Sequence, residues 1–195
     1  MKHYHYSKIS STNDLALQLL KTDSPVLVTA DYQLNGRGRQ NRNWSGNSRD
    51  NVYCSLGISH TPAVVPSGIT LYQAIGSLAV KYSLQEATGA DIFILKYPND
   101  VIIRTGSYEY RKISGTLVEN GFLGSLCLYS VIGIGINVKQ ETFEGELSDK
   151  ATSLKLLGYD FEPEDMLKLL LKNLDILLGK SKDILFGLWK SELNI

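Results

Sequence analysis

Short apolar segments separated by turn residues fill the middle of the chain, and they restrict the possible folds more than any other feature. Glycine, proline, asparagine and aspartate interrupt these segments, which is the pattern of strands joined by turns. The pattern predicts six strands, at residues 26–30, 51–59, 92–95, 101–103, 112–120 and 126–138. The pair Asn120 and Gly121 predicts a turn after the fifth of them.

Helical patterns lie on either side of these strands. Residues 10–14 are Ser-Ser-Thr-Asn-Asp, a dense N-cap signal, and spaced leucines follow. Apolar residues recur at helical spacing over 71–82, and Gly89 fits a C-cap. One further helical segment begins at Pro163, and a final one includes Trp189. Strands in the middle with helices before and after predict an α+β fold, a mixed and largely antiparallel sheet covered by helices.

Composition narrows the class of protein. A chain of 195 residues suits one domain with a sizeable core. Its 20 Lys and Arg balance 20 Asp and Glu, so the basic surface typical of nucleic-acid binders is not expected. No apolar run approaches the roughly 20 residues that span a bilayer, so no membrane partner is expected. Cys54 and Cys127 stand alone in strand-like contexts, which predicts buried thiols and a cytoplasmic location.

A positive island interrupts this even balance of charge. Residues 32–49 contain four arginines and no Asp or Glu, and residues 36–44 read Gly-Arg-Gly-Arg-Gln-Asn-Arg-Asn-Trp. Glycines let a backbone approach a ligand, guanidinium groups grip phosphate or carboxylate oxygens, and Trp44 offers a flat apolar face. This segment is either a solvated basic turn or a loop that binds an organic anion.

Two strand ends carry polar residues. Residues 96–100 follow a buried strand and place Lys96 and Asp100 at its rim, with Asn99 beside them. These charges form either a structural ion pair or a contact with the polar end of a ligand. Residues 133–137 read Gly-Ile-Gly-Ile-Asn, and the two glycines either serve packing or leave the strand bare for something flat.

The strand at 112–119 places a lysine among small residues. Alternation predicts one face with Lys112, Ser114, Thr116 and Val118 and another with Ile113, Gly115, Leu117 and Glu119. Lys112 is either a surface lysine or a group that faces a ligand. Gly115 marks a bulge or a close approach by a ligand or another backbone.

Other enzyme templates fit the sequence less well. It has no GxxxxGK[ST] phosphate loop, no third glycine that would make 36–44 a dinucleotide-binding fingerprint, and no GxSxG nucleophile elbow. His3, His5 and His60 are not spaced like zinc ligands. The glycine-arginine loop and the polar strand ends together suit a site for a carboxylate and a phosphate.

Five ordered motifs resemble those of the catalytic domain of biotin protein ligases. They are similar to the family's STN, GRGRxxRxW, KWPND, KxxGIL and GxGIN motifs. In this chain they stand at Ser11–Asn13, at Gly36–Trp44 after Gln33, at Lys96–Asp100, at Lys112–Leu117 and at Gly133–Asn137. The resemblance implies the fold of class II aminoacyl-tRNA synthetases and biotin protein ligases. It covers the chain from about Ser10 to Trp189.

The resemblance also implies a two-step reaction. Biotin and ATP give biotinyl-5′-AMP and pyrophosphate, and a lysine of a biotin carboxyl carrier protein domain then attacks the mixed anhydride. Lys112, Arg39 and Arg37 are the implied catalytic residues. Biotin is expected to contact Ser11, Thr12, Asn13, Gln33, Gly36, Arg37, Arg39, Lys112, Gly115 and Leu117. The nucleotide is expected to contact Arg39, Arg42, Trp44, Lys96, Asn99, Asp100 and Asn137.

Further expectations follow from the same resemblance. Mg²⁺ is implied by the use of ATP, and no metal ligands are assigned to side chains. A homodimer is open by analogy with relatives that pair through their sheets. Residues 1–195 are expected to form a single catalytic domain, without an N-terminal DNA-binding domain and without the family's small C-terminal β-barrel domain.

The chain departs from the family pattern at two motif positions. Tyr97 stands where Trp is usual, and Thr116 stands where Ile is usual, which is expected to add a hydroxyl to the pocket wall. Two alternatives to ligase activity remain at this point. One is a lipoate or octanoate transferase of the same fold, and the other is a truncated biotin-binding module without full turnover.

Overall fold

A computed structural model describes residues 1–44, 49–65, 68–106 and 109–193, and these residues form one seven-stranded sheet and four α-helices. The strands are β1 (Lys2–Ile9), β2 (Val26–Gln33), β3 (Asn51–Val64), β4 (Phe93–Lys96), β5 (Asp100–Arg104), β6 (Tyr110–Leu123) and β7 (Leu126–Asn137). The helices are α1 (Thr12–Leu19), α2 (Thr70–Thr88), α3 (Pro163–Leu178) and α4 (Lys182–Glu192). The strand order is β1-β2-β3-β7-β6-β5-β4. Only β1 and β2 among these strands pair in parallel, so the predicted α+β fold with a mixed, largely antiparallel sheet is confirmed.

One face of the sheet is covered by α2, α3 and α4. A large cluster of buried apolar side chains joins these helices to the strands, and Leu78, Ile132 and Ile136 are fully buried within it. Helix α2 comes close to the sheet at Gly76, where a Cβ would lie 2.7 Å from Cγ2 of Thr116. Removal of this apolar surface from water is the main driving force of folding.

The opposite face is covered only in part. Helix α1 packs on it through a small cluster formed by Ala16, Val26, Val28 and Val131. Beneath the N-terminus of α1 and next to it, the face carries residues with little or no side chain, namely Ser55, Gly115, Gly133 and Gly135. We call this part of the sheet the glycine face. The loop at 36–44 lies across it, because Trp44 contacts the positions of Gly115 and Gly135.

Strand β1 is not among the predicted strands. Its sequence alternates lysine, histidine and tyrosine at mostly exposed positions, so it lacks the apolar pattern of a buried strand. It pairs with β2 at the edge of the sheet, where His3 and His5 both lie within hydrogen-bond distance of the Thr29 hydroxyl, at 2.8 and 3.1 Å.

The prediction of a turn at Asn120 and Gly121 is wrong. Both residues lie inside β6, and the chain reverses at Gly124, which has φ 59°. Gly121 is required for a different reason, because the ring of Tyr129 on β7 occupies the space that a Cβ would fill. The predicted C-cap is confirmed, since α2 ends at Gly89 with φ 67°.

Both cysteines are free and buried, as predicted. Burial raises the pKa of the Cys54 thiol to about 12. Within the described ranges, no helix combines the length and the apolar character that a bilayer crossing requires.

Candidate active site

The segment 36–44 folds into a compact loop over the glycine face. The amide of Trp44 donates to the carbonyl of Gly36 at 2.8 Å, and the amide of Gly38 donates to the carbonyl of Arg42 at 2.7 Å. A Cβ at Gly36 would lie 2.7 Å from the carbonyl oxygen of Trp44, so the two limbs meet only because residue 36 is glycine. At the tip, Gln40 has φ 57°, a left-handed conformation that costs a non-glycine residue roughly 1–2 kcal/mol.

Trp44 lies directly against the bare strands. A Cβ at Gly135 would be 2.5 Å from Cζ2 of the indole, and one at Gly115 would be 3.0 Å from Cζ3. The glycines therefore form a slot for a flat group, and the ring of Trp44 occupies that slot. Its Nε1 is buried and meets no acceptor among the described residues. An unpaired buried N–H costs about 1–3 kcal/mol, so this packing of the ring carries a penalty.

The N-terminus of α1 forms one wall of the site. Ser11 is the N-cap, and its hydroxyl accepts from the amide of Asp14 at 3.4 Å. Thr12 donates through its amide and its hydroxyl to Oε1 of Gln33, at 2.8 and 2.9 Å. Because these bonds use the oxygen of Gln33, its NH₂ group is the donor available to a ligand.

Ser55 supports this wall from below, and no sequence motif identified it. Its Oγ is fully buried on β3 and lies 2.7 Å from Oγ1 of Thr12 and 2.5 Å from Oδ1 of Asn13. Asn13 in turn lies in the space that a side chain at Gly133 would fill. The one available signal was a polar residue inside an apolar strand.

A chain of polar contacts forms the opposite wall. The ammonium of Lys112 pairs with Oδ1 of Asp100 at 2.7 Å, and that oxygen also accepts from Nδ2 of Asn99 at 2.9 Å. Arg39 on the loop donates from Nη1 to Oδ1 of Asn99, again at 2.9 Å. The Lys112 ammonium also lies 5.0 Å from the centroid of the Trp44 ring, within the range of a cation–π contact. The loop is thus connected to Lys112 through two adjacent side chains.

The ion pair at the strand rim differs from the predicted alternative. Asp100 pairs with Lys112, whereas Lys96 is its backbone partner in the β4–β5 register and has an exposed side chain. Asp100 lies on β5, between the strands that carry the two lysines, and its ion pair is with Lys112 of β6.

The predicted faces of β6 are wrong at Lys112. The β5–β6 pairing shifts from Val101 opposite Ser114 to Ile102 opposite Lys112, which inserts one extra residue in β6. This bulge turns Lys112 to the glycine face, with Nζ 2.8 Å from the Cβ position of Gly115. Gly115 itself pairs regularly with Asp100, and the groups that approach it are the side chains of Lys112 and Trp44, where a ligand or another backbone had been predicted.

Thr116 lines the smaller cavity, and its side chain also reaches the helix-covered face. Its methyl group would lie 2.7 Å from a Cβ at Gly76 of α2. The hydroxyl oxygen of Thr116 is buried without a hydrogen-bond partner within the described part of the chain.

Two cavities meet at this site. The smaller has a volume of about 50 Å³, and the larger has a volume of about 470 Å³. Both are lined by Gly38, Arg39, Trp44, Asn99 and Lys112, which form the partition between them.

The cavities divide the predicted site residues into two groups. The smaller is lined by nine of the ten residues expected at biotin, namely Ser11, Thr12, Asn13, Gln33, Arg37, Arg39, Lys112, Gly115 and Leu117. The tenth, Gly36, lies at the base of the loop beside Gln33. The larger is lined by all seven residues expected at the nucleotide, namely Arg39, Arg42, Trp44, Lys96, Asn99, Asp100 and Asn137.

Several of these side chains are already engaged with the protein. The amide nitrogen of Asn137 donates to the carbonyl of Thr152 at 2.9 Å, and Nη2 of Arg42 donates to Oε1 of Gln40 at 3.2 Å. Arg37 lines the smaller cavity, and its guanidinium is paired with carboxylates of α1 and β6. Arg39 and Lys112 are therefore the cations that border both cavities.

The site offers few protein ligands for a metal ion. Among the residues that the structure describes, no three His, Cys, Asp or Glu side chains come together as a metal centre would need. Asp100 is the carboxylate on the wall of the larger cavity, and it is paired with Lys112.

The chain belongs to the biotin/lipoate A/B protein ligase family, whose sequence profile matches residues 6–137. The bifunctional ligase/repressor BirA of Bacillus subtilis is 36% identical over 155 residues, which cover 77% of this chain and 45% of that protein. The biotin–[acetyl-CoA-carboxylase] ligase of Mycobacterium tuberculosis is 33% identical over 139 residues, covering 68% of this chain and 46% of the relative. The chain thus spans about half the length of these curated relatives.

Solved structures show the same fold. A biotin protein ligase from Aquifex aeolicus in complex with biotin and ATP superposes with a TM-score of 0.76 at 27% identity, covering 99% of this chain and 78% of that one. A biotin protein ligase from Leishmania major in complex with biotinyl-5-AMP has a TM-score of 0.77 at 22% identity, covering 99% and 81%. The predicted family and fold are confirmed.

Proposed function

We propose that this chain is an ATP-dependent biotin–protein ligase, which forms biotinyl-5′-AMP and passes biotin to a lysine of a biotin carboxyl carrier protein domain. The observation that carries the proposal is the position of Lys112 at the partition between a small polar cavity and a large one. Relatives whose names include biotin ligase activity, and a neighbour that binds biotin and ATP, support the same assignment.

The first step requires charge neutralisation at that partition. A carboxylate oxygen of biotin attacks the α-phosphorus of ATP, a C–O–P bond forms, and the bond from the α-phosphorus to the bridging oxygen of pyrophosphate breaks. Both reactants are anions, so a fixed cation between them lowers the barrier. Lys112 and Arg39 border both cavities and supply that charge. In the second step, the amine of the acceptor lysine attacks the carbonyl carbon, and AMP leaves.

The residues on either side suit the two substrates. Thr12 and Gln33 line the smaller cavity, where the NH₂ group of Gln33 can donate to the ureido oxygen of biotin. Arg42 and Lys96 lie on the wall of the larger cavity, where they can meet the phosphates of ATP. A volume of about 50 Å³ holds only a few water molecules, so Trp44 must leave the glycine slot when biotin enters.

Mg²⁺ is implied by the use of ATP and would enter the site with it. Asp100 is the carboxylate that would hold it at the larger cavity, with phosphate oxygens completing its coordination. The bound ion would spread the charge of the phosphates. The two buried free thiols support a reducing, cytoplasmic location for the reaction.

The test is to incubate the chain with biotin, ATP, Mg²⁺ and an apo carrier domain. Mass spectrometry should detect biotinyl-5′-AMP and a single biotinylated lysine on the acceptor. Absence of the adenylate under these conditions would refute the proposal.

Two other outcomes select the alternatives. Preference for lipoate or octanoate over biotin in the same assay would identify an acyl transferase of this fold. Tight biotin binding without acceptor labelling would identify a biotin-binding module. This outcome is worth testing because the chain spans about half the length of its curated relatives. A gel-filtration mass in the same experiment tests the homodimer.

A further inference from the structure

We propose that Asp14 and Glu119 are positioning residues, which hold the loop at 36–44 closed over the smaller cavity by gripping Arg37. No sequence motif assigned a role to either carboxylate. The inference rests on the proposed function for the identity of the bound molecule. Whether Asp14 and Glu119 hold the loop closed does not depend on that function, and a separate experiment on the ligand-free protein tests it.

Arg37 is held by two carboxylates from different elements. Nη1 and Nη2 donate to the two oxygens of Asp14, at 2.9 and 2.6 Å, in a bidentate pair. Nη2 also lies 3.3 and 3.4 Å from the two oxygens of Glu119 on β6. The contact with Asp14, supported by the charge of Glu119, raises the pKa of Arg37 above its ordinary value. Its charge is therefore neutralised within the protein and is not directed at a substrate anion.

Glu119 joins this pair to the wall of the small cavity. Its Oε2 accepts from Nδ2 of Asn13 at 2.6 Å, and Oδ1 of Asn13 lies 2.5 Å from the hydroxyl of Ser55. One carboxylate thus fixes Arg37 of the loop and Asn13 of α1 at the same time. Loss of its charge is expected to loosen the loop and the cavity wall together.

The closed loop needs such anchors because its conformation is costly. Gln40 has φ 57°, and the indole N–H of Trp44 has no acceptor in the described structure. Strained conformations persist only where surrounding contacts hold them. Besides the packing of Trp44 on the glycine face, the described hydrogen bonds and ion pairs that tie loop side chains to the body of the protein are those of Arg37 with Asp14 and Glu119, and of Arg39 with Asn99. The first anchors the small-cavity side of the loop and the second the large-cavity side.

A single exposed ion pair changes an equilibrium by only a few-fold. Arg37, Asp14 and Glu119 have side chains that are 36%, 41% and 41% exposed, so each contact alone is weak. The two carboxylates act on one guanidinium, and removal of both charges leaves it without a counter-charge. We therefore expect a five- to tenfold increase in loop opening for the double change, and about twofold for each single change.

Hydrogen exchange of the ligand-free protein tests directly whether Asp14 and Glu119 hold the loop through Arg37, and it does not require catalytic activity. The variants are Glu119→Gln, Asp14→Asn and the double variant, and amide exchange is followed in peptides that cover 34–44. Glu119→Gln is the cleaner single change, because Asp14 also stabilises the first turn of α1. Arg49→Gln is the matched control, since it removes another exposed arginine–carboxylate pair outside the cavity, in which Nε and Nη2 of Arg49 donate to Oδ2 of Asp31. Faster exchange in the carboxylate variants and unchanged exchange in Arg49→Gln are expected.

Dissociation of biotinyl-5′-AMP provides the second readout. Stopped-flow chasing with excess biotin should give a rate five- to tenfold higher in the double variant, with kcat of adenylate formation changed less than twofold. Raising NaCl from about 0.05 to 0.5 M should accelerate release from the wild-type chain more than from the double variant, because salt screens exposed pairs. If the two carboxylates served only to maintain the fold, their replacement would leave the salt dependence of adenylate release unchanged.

The results distinguish the two proposals. Wild-type exchange of the loop in the double variant would overturn the positioning role, whether or not the chain is an enzyme. Faster hydrogen exchange of the loop in the variants, with no adenylate formed by any of the proteins, would support the positioning role of Asp14 and Glu119 and reject the ligase assignment. Faster exchange with unchanged dissociation would show that loop closure does not retain the adenylate, and would overturn that part of the inference.

Discussion

The two faces of the sheet use the same strands for opposite purposes. The face under α2, α3 and α4 is filled with Leu, Ile and Val side chains that exclude water. The glycine face has Ser55 and three glycines where side chains would otherwise stand, and a loop and a helix terminus provide the polar groups. The chain therefore concentrates stability on one face and leaves the other face able to receive a ligand.

The same residue type shows the contrast most clearly. Gly76 on the packed face allows α2 to approach Thr116, whereas Gly135 on the glycine face allows Trp44 to lie against β7. In the first case the neighbour is a packed strand that cannot move. In the second the neighbour belongs to a loop, and a ligand can take its place.

The largest expected effect is on the packed face. Leu78→Ala removes a fully buried side chain from the main core and should lower the free energy of unfolding by about 2–5 kcal/mol. Urea unfolding followed by circular dichroism measures the loss. Leu17→Ala is the control, because Leu17 is 38% exposed on α1 and should change stability by less than about 0.5 kcal/mol. Equal losses in both variants would contradict the assignment of the core.

The next effect belongs to the glycine face and acts on the reaction. Lys112→Met keeps the apolar stem and removes the charge between the cavities, so the rate of adenylate formation should fall about 100- to 1000-fold. The melting temperature should remain close to that of the wild type, since Lys112 is partly exposed. Pyrophosphate release measures the rate. Lys155→Met, which removes an exposed pair with Asp160, is the control with an unchanged rate.

A matched pair of glycine substitutions separates the two faces. Gly76→Ala forces a methyl group against Thr116 and Ile132 and should cost about 1–3 kcal/mol of stability, with biotin affinity retained. Gly135→Ala narrows the slot and should lower biotin affinity about 10- to 100-fold with little loss of stability. Thermal melts and isothermal calorimetry give the two quantities. If both variants lose stability alike, the glycine face is part of the core.

The smallest effect is a pH dependence of stability. His60 is 9% exposed between Ser130 and the stacked ring of Tyr72, and burial lowers its pKa. The unfolded chain therefore binds a proton at higher pH than the folded chain. Stability should be unaffected above the ordinary pKa near 6.5 and should fall as the pH drops below it.

Urea unfolding at pH 7.5 and 5.0 measures this loss. His60→Gln retains a hydrogen-bonding group and should reduce the difference between the two pH values. Burial also lowers the pKa of His3, so part of the difference should remain in the variant. An undiminished difference would show that His60 does not carry the effect.

Local patterns predicted the main elements because each has a local physical cause. The apolar segments predicted six of the seven described strands, and an N-cap within residues 10–14 and a C-cap at Gly89 were both predicted. Strand β1 was missed because an exposed edge strand has no apolar period to detect. The Asn120–Gly121 turn failed because a cross-strand ring, and not a reversal of the chain, requires glycine there.

The sequence by itself determined the family, the order of the five motifs and the residue types that line the two cavities. Only the tertiary structure decided how those residues are used. A bulge in β6 turns Lys112 towards Asp100 and Trp44, and Arg37 meets Asp14 and Glu119 from distant parts of the chain. Alternation and caps arise from neighbours along the chain. Ion-pair partners and bulges depend on which strands and helices come together, so these features emerge only when the sheet has formed.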